Sequence, residues 1–150
     1  MKPATKRAFD WDTFFVTPDS SNKVVQFRKL QRIFSQGDAL RTAMYVQEGV
    51  VKLSVVSDQG KEAVIGLLGP KHFLGEGIIS DQPVYLATAT AMTPCKVAVI
   101  PKDLIARMLQ ENSKFSHCFI SYILARKVRI EQDLVDQLFN SAEKRLARRP

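Results

Sequence analysis

Phe73-Leu74-Gly75-Glu76-Gly77-Ile78-Ile79-Ser80-Asp81-Gln82-Pro83-Val84-Tyr85-Leu86-Ala87-Thr88-Ala89-Thr90-Ala91 is the stretch on which the reading of this chain turns. It sets one carboxylate between two glycines, passes through a short apolar turn and a polar loop with a proline, and then alternates small and hydroxyl residues as a strand does. Glycine lacks a Cβ, so a loop that holds Glu76 between Gly75 and Gly77 can bring its backbone N–H groups close to another group. An anion or a hydroxyl-rich ligand suits such a loop. If Gly77-Ile78-Ile79-Ser80 starts a helical turn, its free N–H groups point back toward the same spot and favour a phosphate. The structural alternative is a plain β-turn whose carboxylate is held by backbone N–H groups.

The segments on either side repeat with a period of two. Val25, Phe27, Leu30 and Arg32-Ile33-Phe34 read as strands up to the turn Gln36-Gly37-Asp38. Met44 to Val56 alternates as a strand in which Gly49 marks a bulge or bend, and Ser57-Asp58-Gln59-Gly60 is a hairpin turn. Glu62 to Leu68 returns as its partner, and Leu68-Gly69-Pro70-Lys71 turns again. Ala87 to Met92 and Lys96 to Ile100 form a further pair around Thr93-Pro94. Short strands separated by turns at this spacing predict a β sandwich or barrel.

Two helices follow. Pro101-Lys102-Asp103 opens the first, in which Leu104, Ile105, Met108 and Leu109 recur at helical spacing until Asn112-Ser113 breaks it. The second runs from Lys114 to about Phe139 and carries Phe119, Ile120, Ile123, Leu124, Ile130, Leu134, Val135 and Leu138, close to the repeat of about 3.5 residues that drives helices to pair. A small β-domain cannot cover so long an apolar stripe. The expectation is a parallel homodimer whose seam is Ile120, Ile123, Lys127, Ile130, Leu134 and Leu138, with a helix packed on its own roll as the alternative. Residues 1–22, with Phe9, Trp11, Phe14 and Phe15, predict an N-terminal arm or short helix lying across the domain.

The 150 residues suffice for one domain with a real core, and 45% apolar with 25% charged residues is the balance of a soluble globular protein. No run approaches the roughly 18 apolar residues of a membrane span. Met1-Lys2-Pro3-Ala4-Thr5-Lys6-Arg7 leads into Asp10 and Trp11 instead of an apolar signal core, so a cytoplasmic protein without a membrane partner is expected. The two cysteines, Cys95 and Cys118, fall in segments that read as buried strand and buried helix, which makes them reduced core thiols. The two histidines, His72 and His117, are too few for a metal enzyme on such a barrel, and His72, the one candidate haem ligand, reads as a solvated loop residue. Gly69-Pro70-Lys71 lacks P-loop spacing and no Ser/His/Asp set assembles, so neither catalysis nor a metal site is expected. The formal charge of +7 comes from basic residues near both ends, not from one compact motif.

The order of Phe34-Ser35-Gln36-Gly37-Asp38, Tyr45-Val46-Gln47-Glu48-Gly49-Val50-Val51-Lys52-Leu53, Phe73-Leu74-Gly75-Glu76 and Glu143-Lys144-Arg145-Leu146-Ala147-Arg148 resembles the Crp/Fnr family of bacterial transcription regulators, over residues 20–149. The resemblance implies a mainly β fold with helices: a double-stranded β-helix, jelly-roll-like and of the cyclic-nucleotide-binding type, followed by a long C-terminal dimerisation helix. It divides the chain into the arm at 1–22, the roll with its flanking helix at 23–112, and at 113–150 the dimerisation helix with the start of a winged helix-turn-helix. The recognition helix that reads DNA would lie beyond this chain, so DNA is expected as a partner only through that further domain. The family's iron–sulfur sensors use an N-terminal cysteine cluster, which is absent.

In the family's cyclic-nucleotide binders, the residue matching Glu76 accepts a hydrogen bond from the ribose 2′-hydroxyl. Backbone around Gly75, Gly77 and Ile78 lines the site, and an arginine a few residues on clamps the cyclic phosphate. Here Tyr85 stands at the arginine position, followed by Leu86, where a small hydroxyl residue is usual, and by Ala87. Matching back from Arg145 places Ile130 and Glu131 where hydroxyl residues of the dimer helix contact the purine. Each charge-assisted bond of an arginine fork contributes about 1.5–3 kcal/mol, and Tyr85 offers one neutral donor. Cyclic AMP is therefore not expected as a tight ligand; the effector, if there is one, is another small molecule or nucleotide, and no cofactor is implied. Two readings stay open: the effector-sensing and dimerisation domain of a regulator, and a structural dimerisation module with a vestigial pocket that binds no ligand. An enzyme on the same roll comes third.

Overall fold

The computed structural model describes residues 23–147. Where the sequence alternates, strands form: β1 (Lys23–Phe27), β2 (Arg32–Phe34), β3 (Thr42–Glu48), β4 (Val51–Val56), β5 (Glu62–Leu68), β6 (Phe73–Leu74), β7 (Thr88–Ala91) and β8 (Cys95–Pro101). They hydrogen-bond, all antiparallel, into two four-stranded sheets ordered β1-β8-β3-β6 and β2-β7-β4-β5. The inward phase of each strand supplies the core: Val46 and Val97 from one sheet, Val51, Leu53, Ala89 and Ala91 from the other, with Leu74. Fully burying a valine or leucine contributes about 1.5–3 kcal/mol, which is why the phase of each strand is fixed. The result is an eight-stranded antiparallel β sandwich followed by a long C-terminal helix, the fold that the resemblance implied.

Three expectations about the strands change. Met44 to Val56 is not one strand but two, β3 in one sheet and β4 in the other, with a corner at Gly49. Gly49 takes φ +94, and a Cβ there would lie 2.5 Å from the Pro94 carbonyl oxygen and 2.6 Å from Cys95 Sγ. Only glycine fits this corner. Gly49→Ala is expected to cost at least about 1–3 kcal/mol through strain and overpacking, seen as a lower denaturant midpoint with an unchanged slope.

Nor do Ala87–Met92 and Lys96–Ile100 pair with each other: β7 lies between β2 and β4, and β8 between β1 and β3. Alternation marks a strand without naming its partner, and the Thr93-Pro94 corner carries the chain across between sheets. Leu30, expected in a strand, sits in a turn at φ 70 with its side chain exposed. The hairpin at Ser57–Gly60 forms as read, with Ser57 N–H donating to the Lys61 carbonyl at 2.9 Å.

Helix α1 spans Lys102–Glu111 and α2 spans Ser113–Ala147. Asn112 ends one and caps the other, its Oδ1 accepting the Phe115 N–H at 3.0 Å. The second helix runs past Phe139 to Ala147 because Asn140-Ser141-Ala142-Glu143 contains neither glycine nor proline to stop it. The described residues fall into two compact units, 23–109 and 110–147. Within the second, Phe115 and Phe119 are buried with ring centroids 5.9 Å apart. Cys118, expected in the core, is half-buried, and both cysteines are free. Ile120, Ile123, Leu124, Ile130, Leu134 and Leu138 are exposed. Among the described residues no helix is long and apolar enough to cross a membrane. The expected arm at 1–22 lies outside the described residues.

Candidate effector site

Strand β6 pairs with Met44 and Tyr45 of β3 and so delivers the chain to the glycine loop at a fixed register. Gly75 turns left-handed at φ 71 and precedes a 3-10 helix over Glu76–Ser80, the helical turn that Gly77-Ile78-Ile79-Ser80 suggested. Ile78 N–H donates to the Gly75 carbonyl at 3.2 Å and Gln82 N–H to the Gly77 carbonyl at 3.1 Å, closing the turn. Ile78 anchors it in the interior, while Glu76 is half-buried at its start. A Cβ on Gly75 would meet the Thr42 carbonyl oxygen at 3.0 Å, Tyr85 Cε1 at 3.1 Å and Leu40 Cδ1 at 3.2 Å. The left-handed angle and the close approach of the Thr42 carbonyl, Tyr85 and Leu40 together favour glycine here.

Tyr85 is held from both sides of its backbone. Its N–H donates to the Asp38 carbonyl at 2.9 Å and its carbonyl accepts from Gly37 N–H at 2.8 Å, which ties it to the Gln36-Gly37-Asp38 turn. The side chain, 7% exposed, belongs to the core cluster between the sheets. Its ring stacks on Phe34 with centroids 3.8 Å apart and planes at 14°, and its hydroxyl donates to the Thr42 carbonyl at 3.1 Å. The neutral donor that Tyr85 offers is spent inside the protein. Leu86 points outward at 67% exposure, and Ala87 turns back into the core.

Burial pushes the Tyr85 hydroxyl above its ordinary ionisation near 10; the bond to Thr42 pulls part of the way back, and the Asp38 charge adds a still smaller rise. The folded state thus holds this proton more tightly than the unfolded chain does. The resulting stability is fully present below about pH 10 and is lost as pH rises through the folded value. Tyr85→Phe keeps the stacked ring and removes the titration. In urea melts between pH 9 and 11, about a unit either side of tyrosine's ordinary value, wild type is expected to lose more stability than Tyr85→Phe.

The roll thus brings together Gly75, Glu76, Gly77, Ile78, Tyr85 and Ala87, with Leu86 on its surface. Ile130 and Glu131 lie on α2, in the other compact unit, where Ile130 is exposed and Glu131 Oε1 stands 3.7 Å from Lys127 Nζ. Reading the sequence missed Leu40, Phe34 and the Thr42 carbonyl. Phe34 could have been found from the inward phase of β2, whereas a backbone carbonyl leaves no signal in residue type. Elsewhere, a groove of about 500 Å³ runs beside Phe27, Arg28, Lys29 and Lys96 and includes none of the loop residues. The Cys95 thiol donates to the Val50 and Thr93 carbonyls, and His72 Nδ1 lies 3.2 Å from the Gly69 carbonyl. Among the described residues no group of three or more His, Cys, Asp or Glu is placed to hold a metal ion.

Comparison with known proteins agrees with this fold. The sequence model of the cyclic nucleotide-binding domain matches residues 24–112. A CRP-like cAMP-activated global transcriptional regulator of Mycobacterium tuberculosis is 22% identical over 124 residues, covering 83% of this chain and 55% of that protein. A transcriptional regulator of Thermotoga maritima superposes with a TM-score of 0.68 at 24% identity, over 75% of this chain and 88% of the other. The catabolite activator protein of Thermus thermophilus does so with a TM-score of 0.66 at 25% identity, over 79% and 55%. This chain spans 55% of the length of the Mycobacterium relative that it matches. It belongs to the cyclic nucleotide-binding domain family, in the form carried by Crp/Fnr-type transcription regulators.

Proposed function

We propose that the chain is the effector-sensing and dimerisation part of a Crp/Fnr-type bacterial transcription regulator in which Tyr85 closes the cyclic-phosphate side of the pocket. The observation that carries this is the Tyr85 side chain itself, buried, stacked on Phe34 and bonded to the Thr42 carbonyl where the family's nucleotide binders present an arginine. An arginine in that role would supply charge-assisted bonds of about 1.5–3 kcal/mol each, a factor of roughly ten to a hundred apiece in affinity. Glu76, half-buried just after Gly75, carries the carboxylate to which a ligand hydroxyl would donate in this reading. The ligand class that fits is a small hydroxyl-bearing molecule recognised without a phosphate clamp.

In this reading the exposed face of α2 carries a homodimer, and the ligand acts by favouring one arrangement of the paired helices over another. DNA is contacted by a helix-turn-helix domain outside this chain, and the protein works in the cytoplasm. The burial of Tyr85 also favours a second reading, a dimerisation module whose pocket is filled by its own side chain and binds nothing. Mass spectrometry of small molecules released from freshly purified protein separates the two, followed by thermal shift with whatever is released. A ligand present at about a hundred times its dissociation constant stabilises by about 2.7 kcal/mol. Release of a hydroxylated compound whose shift is lost in Glu76→Ala supports sensing. Nothing released and no shift with a nucleoside and nucleotide panel makes the chain a ligand-free module.

A further inference from the structure

At the centre of the exposed face of α2, beside the exposed Ile123, Val128 and Ile130, stands one ion pair, Lys127 with Glu131. Ile120, Leu124, Leu134 and Leu138, each more than half exposed, are joined by Lys127 and Glu131 into one run spaced four, three, four, three and four residues apart. That is the seam pattern of paired helices, in a register where Ile123 and Ile130, expected in the seam from the sequence, flank it instead. Lys127 Nζ and Glu131 Oε1 are 3.7 Å apart and both side chains are exposed, at 68% and 61%. The order along the chain, lysine before glutamate at i and i+4, is the less favourable one for an isolated helix, so strengthening α2 by itself is a weak reason for the pair.

We propose that Lys127 and Glu131 form, with the same two residues of a second copy of this chain, a ring of four alternating charges in the middle of the α2 seam, and that this ring sets the register and the choice of partner. The inference rests on the reading of α2 as a dimer helix. A second copy is the occupant because the face complements itself: each copy brings one cation and one anion, so a twofold pair is neutral at its centre and apolar on both sides. In a parallel pair each Lys127 reaches its own Glu131 and the partner copy's, one turn along the seam. Sliding one helix by a heptad would put these charges against Leu134 or Ile120, uncompensated in an apolar contact. An apolar partner helix would leave the same charges unpaired.

The test uses two single charge reversals of the whole chain. Lys127→Glu gives each copy two anions at the ring and Glu131→Lys gives two cations, so either homodimer would gather four like charges. Each variant alone is expected to dissociate at least about a hundredfold more readily than wild type by sedimentation, with helix content unchanged by circular dichroism. Mixed in equal amounts, the two are expected to form a heterodimer of near wild-type affinity, and the double reversal in one chain to recover the homodimer. The mixture is decisive because neither variant regains its own i, i+4 pair. Two variants as dimeric as wild type would place the charges outside the seam and overturn the ring. Two monomeric variants that do not recover on mixing would overturn it as well, since the pair would then act within one chain. A wild-type chain that is monomeric at every concentration used would overturn the dimer reading beneath it, an outcome visible in the control alone.

Discussion

Tyr85→Ala is expected to lower the stability of the chain by about 3–5 kcal/mol, the cost of emptying a buried aromatic site. The loss combines the transfer of the ring, its stacking on Phe34 and the hydroxyl bond to the Thr42 carbonyl. It is a test of role as much as of packing. A residue kept for a ligand sits in a cleft that solvent can enter, and its truncation is tolerated by the free protein. Tyr85, 7% exposed, is part of the core that holds the two sheets together. Equilibrium unfolding in urea measures the difference. A loss below about 1 kcal/mol, the scale of an ordinary surface change, would mean that the ring leaves the core in solution and that the pocket opens.

Leu134→Glu should have the second large effect, on association instead of folding. Leu134 is 54% exposed in the single chain, so the fold loses little when it becomes polar. In a paired α2 the residue lies on the seam, where each copy would bring an anion against its like in an apolar contact. The dimer dissociation constant is expected to rise by at least about a hundredfold, close to 2.7 kcal/mol. Sedimentation over a range of concentrations reads this directly, and an unchanged dimer would place the interface elsewhere.

The sequence yielded most of the strands because alternation is local: β4 and β5 with their hairpin, the loop at Phe73–Ser80 and both helix starts follow from side-chain period and turn residues. Which strands pair did not follow. The corners at Gly49 and Thr93-Pro94 move the chain between sheets, and nothing in the residues themselves distinguishes a corner from a bulge. The candidate site divided in the same way. Gly75, Glu76 and Tyr85 stand out by type and order, so their proximity could be anticipated from the resemblance. The direction in which Tyr85 faces could not, because it depends on Phe34 and on a main-chain carbonyl of β3, each more than forty residues away along the chain. A tyrosine in place of an arginine can leave a pocket open or fill it. Packing decides.

In the proposed function the protein itself occupies the cyclic-phosphate side of the pocket. Calorimetric titration of cyclic AMP into the purified chain tests this claim directly. With Tyr85 stacked on Phe34 and no arginine at its position, binding no tighter than about millimolar is predicted, near 4 kcal/mol at most. A dissociation constant in the low micromolar range, lost in Glu76→Ala, would contradict it and show that Tyr85 gives way to the nucleotide.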